Sequence, residues 1–436
     1  MRNVAAFLSA LCLTACAYPY TPPALAPVSR PAGSPTGALA AVEQRGPVTL
    51  LIGIDGFRPD YLDRGLTPVL SRLAAEGATG PMRPSFPSKT FPNFWTLVTG
   101  LTPDRHGIVA NRMEDPARPG KSFSMATVDP TWWNAAEPIW VTAEHAGLRT
   151  GSVYWPGGAI AWGGVQDPRW DNEVAGGTRP SDWLQYAEGA AADMRVRTVI
   201  DWLRRPQAER PRFVALYFDA ADIAGHHFGL DSAQLNTALA DIDRALGILV
   251  AELAARGQPA NIVVVSDHGM APTAPERTIP LDAFIADTDA RALEVGPVVS
   301  LFPRPGREAA TAAAIRRTPS HLQCWAKHAI PARLRYGRHP RVAPFVCVAD
   351  DGWTVVRTAA AAAMVNKGEH GYDNQLPSMR ALFVGHGPAF RRGVRLPVFD
   401  NTAVAPLLRR LLGLPAGERL DGNDTALAGA YVRKDR

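Results

Sequence analysis

A wound α/β fold, with a mostly parallel sheet covered by helices on both faces, is the architecture this chain predicts. Three observations carry it. Apolar runs recur without polar alternation, as strands buried on both faces require; amphipathic helical stretches lie between them; and acidic residues sit where the runs stop. At 436 residues the chain exceeds the usual single-domain size, so one large domain with an insertion, or two domains, is the expectation.

The first run is Val48 to Ile54, with Asp55 at its carboxyl end. Similar runs follow at Phe213 to Phe218, Ile262 to Val265 and Ala381 to Val384, and the first two of these precede Asp222 and Asp267. Leu235, Leu239, Ile242, Leu246, Leu249 and Leu253 recur at helical spacing, and a similar stripe runs from Trp183 to Trp202. In wound sheets ligands gather beyond the carboxyl ends of the strands, where these acids fall. Residues 275–365 break the rhythm with short β-like runs, Val298 to Phe302 and Val342 to Val348, and read as an inserted cap between core segments 47–274 and 366–436. The cap arginines Arg316, Arg317, Arg333, Arg335, Arg338 and Arg341 read as a solvated face.

At the amino terminus, Arg2, the apolar run Val4 to Leu13 and small residues before Cys16 make residues 1–16 a targeting signal, too short to span a bilayer as a helix. Residues 17–46, rich in Pro, Ala, Gly and Ser, read as a flexible tether. Leu13-Thr14-Ala15-Cys16 resembles a bacterial lipobox, which implies a lipid anchor on Cys16 and a periplasmic or outer-membrane lipoprotein in a Gram-negative cell envelope; a plain secretory peptide is the alternative. Cys324 and Cys347 then remain, and an oxidising compartment favours their pairing. The net charge of +5 comes with only five lysines, and no basic run interleaved with aromatics appears, so no nucleic-acid partner is expected.

Asp222 and His226 are four apart, a spacing at which both reach one ion if the segment is helical; Asp219 and His227 compete with them, and a structural Asp–His hydrogen bond fits as well. Asp267 and His268 follow a strand directly, with Gly269 to turn the chain. His370 lies in a glycine-bounded loop. Thr90 precedes Pro92, which suits a first helical turn whose free N–H groups favour a phosphate oxygen; a plain N-cap is the alternative.

Taken together and in order, these motifs are highly specific. Asp55-Gly56-Phe57-Arg58, Pro87-Ser88-Lys89-Thr90-Phe91-Pro92-Asn93, Thr96 to Leu101, Ser266-Asp267-His268-Gly269-Met270 and His370-Gly371-Tyr372-Asp373-Asn374 resemble the nucleotide pyrophosphatase/phosphodiesterase family of the alkaline phosphatase superfamily, with a bacterial member expected. The resemblance implies an alkaline-phosphatase-like three-layer α/β/α sandwich, with a central mostly parallel sheet and a small inserted α+β cap, and two Zn2+ ions. One ion would be held by Asp55, Thr90, Asp267 and His268, the other by Asp222, His226 and His370. Thr90 becomes the nucleophile of a covalent threonyl intermediate, and Asn111 holds a non-bridging oxygen. Phe91 is implied as a base-stacking residue; Trp170 is added from its position alone, with the Tyr154 to Gly157 stretch as the other choice. The chain departs from the family pattern at Ala220-Ala221 and Phe94-Trp95, none of them a ligand.

The expected activity is hydrolysis of nucleotide phosphodiester and pyrophosphate bonds to nucleoside 5′-monophosphates, a small-molecule reaction. A phospholipid or glycerophosphodiester phosphodiesterase is the alternative within hydrolases, and a non-catalytic envelope lipoprotein the alternative outside them.

Overall fold

The computed structural model describes residues 45–167, 169, 170 and 173–432. The expected signal with Cys16, and the tether up to residue 44, lie outside the described residues. The main sheet is built from Val48–Ile54 (β1), Ala78–Arg83 (β2), Thr150–Val153 (β3), Asp182–Leu184 (β4), Phe213–Phe218 (β5), Ala260–Val265 (β6), Ala381–His386 (β7) and Val394–Arg395 (β8), in the order β8-β2-β7-β6-β1-β5-β3-β4, with Phe399–Asp400 also pairing with β2. β1 runs parallel to both β5 and β6, whereas β7 runs antiparallel to β6 and β2.

Alternate residues of the central strands feed two separate cores. Leu51, Ala215, Tyr217, Val263 and Phe383 belong to one; Leu50, Ile52, Val214, Leu216, Ile262 and Val264 belong to the other. Both faces are covered, so no polar alternation survives in the sequence. The helices include Pro68–Glu76 (α1), Thr90–Thr99 (α2), Ala192–Arg204 (α3), Ala220–Phe228 (α4), Ala233–Ala255 (α5) and Val404–Leu412 (α6). Residues of α2 and α6 join the first core, and residues of α1, α3 and α5 the second. The result is the expected three-layer α/β/α sandwich.

α5 starts where Ser232 accepts the Leu235 N–H at 3.1 Å, and its buried stripe is the expected one from Leu235 to Leu253. Each such side chain contributes about 1.5–3 kcal/mol by leaving water. The stripe expected from Trp183 to Trp202 is not one helix: Trp183 lies in edge strand β4, and helix begins only at Ala192. The turn between them passes through Gly189, at φ +75°, whose N–H is taken by Asp219 at 2.6 Å.

Between β6 and β7 the chain forms a separate antiparallel sheet, in the order Ala290–Glu294, Val298–Pro303, Phe345–Ala349, Leu322–Ala326, with helix Glu308–Ile315 beside it. Cys324 and Cys347 face each other in register on neighbouring strands and are disulfide-bonded. This insertion packs in the same compact unit as the main sheet. Arg341 departs from the solvated face expected of the cap arginines. It is 8% exposed, stacks over Trp132 and donates to the Gly107 and Trp132 carbonyls at 3.0 and 2.7 Å.

Candidate active site

The carboxyl ends of β1, β5 and β6 bring the chemistry together. Asp55 follows β1 and Asp267 closely follows β6; Asp222 lies in the first turn of α4, just past β5. Gly56, at φ +65°, makes the approach possible: its N–H donates to Asp267 Oδ1 at 3.2 Å, and a Cβ there would stand 3.0 Å from Asp222 Oδ1. Thr90 is the first residue of α2, after Lys89 at the cap position, so the plain N-cap alternative does not hold. α2 ends at Gly100, in the left-handed region, whose N–H returns to the Thr96 carbonyl at 2.8 Å.

Three imidazoles complete the group. His226 Nδ1 donates to the Gly368 carbonyl at 2.7 Å, His268 Nδ1 to Gly269 at 2.9 Å, and His370 Nδ1 to Ser88 at 2.8 Å. A carbonyl only accepts, so each Nδ1 carries the proton and each Nε2 is left for another partner. His268 Nε2 lies 2.8 Å from Asp267, 3.5 Å from Asp55 and 3.3 Å from Thr90 Oγ1. His226 Nε2 lies 3.3 Å from Asp222, and His370 Nε2 lies 3.7 Å from it.

Two sets of donors gather within 4.8 Å: Asp55, Asp267 and His268, and Asp222, His268 and His370. His268 thus belongs to both, and His226 joins the second through Asp222. Asp55 Oδ1, Asp222 Oδ1 and Asp267 Oδ2 are buried with no hydrogen-bond partner among the described residues. Buried carboxylate oxygens are costly unless a donor or a cation meets them, and carboxylate with imidazole is a donor set that zinc takes. The residues therefore fit two zinc ions.

The electrostatics agree. Burial, then the charges of Asp267 and Asp222, hold the Asp55 carboxyl well above its usual range; Tyr217, donating to Asp55 Oδ2 at 2.6 Å, pulls the other way. Burial likewise raises Asp222. Burial, then the charges of His268 and Lys89, drive His370 well below the ordinary imidazole value, which keeps its Nε2 lone pair free. Burial opposes a charge on His268 too, but Asp267 and Asp222 outweigh it and raise that group.

The competing ligands separate cleanly. Asp219 is tied to the buried Arg195 at 2.7 Å, and His227 is exposed. Asn111 Oδ1 accepts the Phe91 N–H at 3.0 Å, which turns its amide hydrogens outward from the first turn of α2. The expected stacking pair is not brought together. Phe91 is fully buried among Tyr186, Trp133 and Phe123, with ring centroids 5.0, 6.0 and 6.0 Å away, and offers no open face. Trp170 stands 58% exposed between the short strands Val165–Gln166 and Val174–Ala175. Tyr186 and Phe123 are both set edge-on against Phe91.

Residues 49–373 match the family model described as type I phosphodiesterase / nucleotide pyrophosphatase. The chain belongs to this family. Among curated relatives of this phosphodiesterase family, it is 34% identical to the rat ectonucleotide pyrophosphatase/phosphodiesterase family member 1, over 85% of this chain and 41% of that protein. It is also 34% identical to the frog (Xenopus laevis) bis(5′-adenosyl)-triphosphatase enpp4, over 84% of this chain and 78% of the relative. It therefore spans about two fifths of the rat protein's length. Human ectonucleotide pyrophosphatase/phosphodiesterase 5 superposes with a TM-score of 0.81 at 32% identity, covering 88% of this chain and 99% of that one. A murine structure of the same protein, an inactive threonine-to-alanine variant in complex with AMP, gives 0.81 at 32% identity, over 89% of this chain and 100% of that chain.

These relatives are animal proteins, and a fission-yeast pyrophosphatase/phosphodiesterase is 38% identical. They correct the expectation of a bacterial member, and with it the location in a Gram-negative periplasm or outer membrane. Among the described residues no helix is long and apolar enough to cross a membrane.

Proposed function

We propose that this chain is a zinc-dependent nucleotide pyrophosphatase and phosphodiesterase in which Thr90 is the nucleophile. The observation that carries the reading is the set of three buried carboxylate oxygens without hydrogen-bond partners among the described residues, facing the Nε2 atoms of His268 and His370 beside the Thr90 hydroxyl, with His226 Nε2 against the second oxygen of Asp222. On this reading Asp55, Thr90, Asp267 and His268 hold one zinc ion and Asp222, His226 and His370 the other. Zinc bound there supplies Lewis-acid charge for both the attacking and the departing oxygen of an in-line displacement.

The chain's own groups do the rest. Thr90 Oγ1 bonds to phosphorus as the bond to the departing oxygen breaks, giving a threonyl-phosphate ester; water then cleaves that ester and restores the hydroxyl. Asn111, its Oδ1 held by the Phe91 N–H, donates from Nδ2 to a non-bridging oxygen that becomes more negative in the transition state. The tyrosine hydroxyl on Asp55 and the carbonyls on the three imidazoles fix the donors in place.

A relative in this family bound to AMP supports a nucleoside 5′-monophosphate as product. The tether through Cys16 forms no part of this reading. Thr90→Ala tests it: hydrolysis of the 4-nitrophenyl ester of a nucleoside 5′-monophosphate falls by several orders of magnitude while zinc content stays at two ions. A variant that keeps more than a tenth of the parent rate sinks the assignment. Hydrolysis of 4-nitrophenyl phosphorylcholine in preference to the nucleotide ester moves the chain to the lipid alternative.

A further inference from the structure

We propose that the cap segment from Tyr336 to Arg341 is a positioning clasp for Asn111, so that the inserted cap sets the aim of the amide that meets the phosphoryl oxygen. The inference rests on the role given to Asn111 above.

Asn111 lies on a loop between the short helix Pro103–His106 and the two-residue strand Met113–Glu114. Much of what holds that loop comes from the cap. The backbone N–H groups of Gly337, Arg338 and His339 converge on the Asp104 carboxylate at 2.9, 2.8 and 3.2 Å. The Tyr336 hydroxyl donates to the Val109 carbonyl at 3.0 Å, two residues before Asn111. Arg341 donates to the Gly107 carbonyl at 3.0 Å and to Asp115 at 2.9 Å, so it grips the loop on both sides of Asn111. Arg291, in the cap strand Ala290–Glu294, adds an ion pair to Glu114.

Tyr336 and Arg341 are each only 8% exposed. Bonds made in such surroundings are costly to leave unmade, because a buried carbonyl that loses its donor finds no water to replace it. On the opposite side His106 ties the loop to α2: its Nδ1 accepts the Ile108 N–H at 3.1 Å and its Nε2 lies 3.1 Å from the Pro92 carbonyl. The loop is thus held between the helix that starts with Thr90 and a segment more than two hundred residues further along the chain. Tyr336 touches no reacting atom. It acts through Val109 and hence through the position of the Asn111 amide.

A double-mutant cycle on the full zinc-loaded protein tests this. Tyr336→Phe keeps the ring and removes only the donor. The expected result is a fall in kcat of about fivefold, the factor one ordinary hydrogen bond is worth, with KM and zinc content unchanged. In an Asn111→Ala background the same change produces no further fall in kcat, although it lowers the melting temperature equally in both backgrounds. An equal kcat loss in both backgrounds makes Tyr336 a merely structural residue and overturns the proposal, as does an unchanged kcat in the single variant. If Asn111→Ala alone leaves turnover intact, the reading of Asn111 itself falls and takes the clasp with it; loss of all diester hydrolysis in the parent would instead sink the proposed function.

Discussion

Tyr217→Phe isolates the bond that orients Asp55. The phenol donates to Asp55 Oδ2 at 2.6 Å in a buried site, and burial together with the Asp55 charge pushes the phenol well above its ordinary value, so it stays a donor at any working pH. A hydrogen bond to a carboxylate is roughly 1.5–3 kcal/mol, about tenfold to a hundredfold in an equilibrium constant. Loss of an outer partner of a metal ligand costs a similar factor in metal affinity. The ring itself packs edge-on against Phe94 at 5.1 Å, and phenylalanine preserves that contact. The expected outcome is therefore at least tenfold weaker zinc binding, read by competition with a chromophoric chelator, with the fold intact by circular dichroism. At saturating zinc, turnover returns to within a few-fold of the parent. Zinc affinity within twofold of the parent would refute the idea that Asp55 is a ligand held in place by Tyr217.

Two further predictions concern stability. Burial drives the His106 imidazole down to about 3 from its ordinary 6.5, so between those values the unfolded chain binds a proton that the folded chain does not. Stability is then fully present above about pH 6.5 and declines by about 1.4 kcal/mol per pH unit as pH falls through that window; urea unfolding of His106→Gln should show a pH slope shallower by about that amount, and identical slopes would exclude the effect. The Cys324–Cys347 bond closes a loop with a sequence separation of 23, for which chain entropy predicts about 3 kcal/mol. Replacing both cysteines with serine should lower cap stability by that order in denaturant titrations, and no change in midpoint would count against it.

The central strands were legible because two-sided burial leaves an unbroken apolar run, and the acids past their ends because wound sheets place sites there. Strand direction was not legible. β7 looks like its neighbours in composition, yet it returns from the cap and runs the opposite way. Spacing alone left Asp219 and Asp222 level as ligands; the choice between them is made by Arg195, a buried cation from α3 that claims Asp219. Tyr217 was missed for a related reason: an inward-facing strand tyrosine reads as core until its hydroxyl is seen to reach Asp55. Phe91 is the opposite case, since its place beside Thr90 says nothing of the aromatic cluster that encloses it. The arginines of the cap share one composition, and only packing against Trp132 sets Arg341 apart from the rest.

The glycine after Asp55 brings Asp222 against bare main chain, with no side chain between. The gauge for the approach of the two acid-bearing segments is thus a main-chain contact at residue 56. Loops farther out can change length or sequence without altering that gauge. A side chain at residue 56 would have to displace Asp222 itself, so the closeness of the two segments depends on that position staying bare.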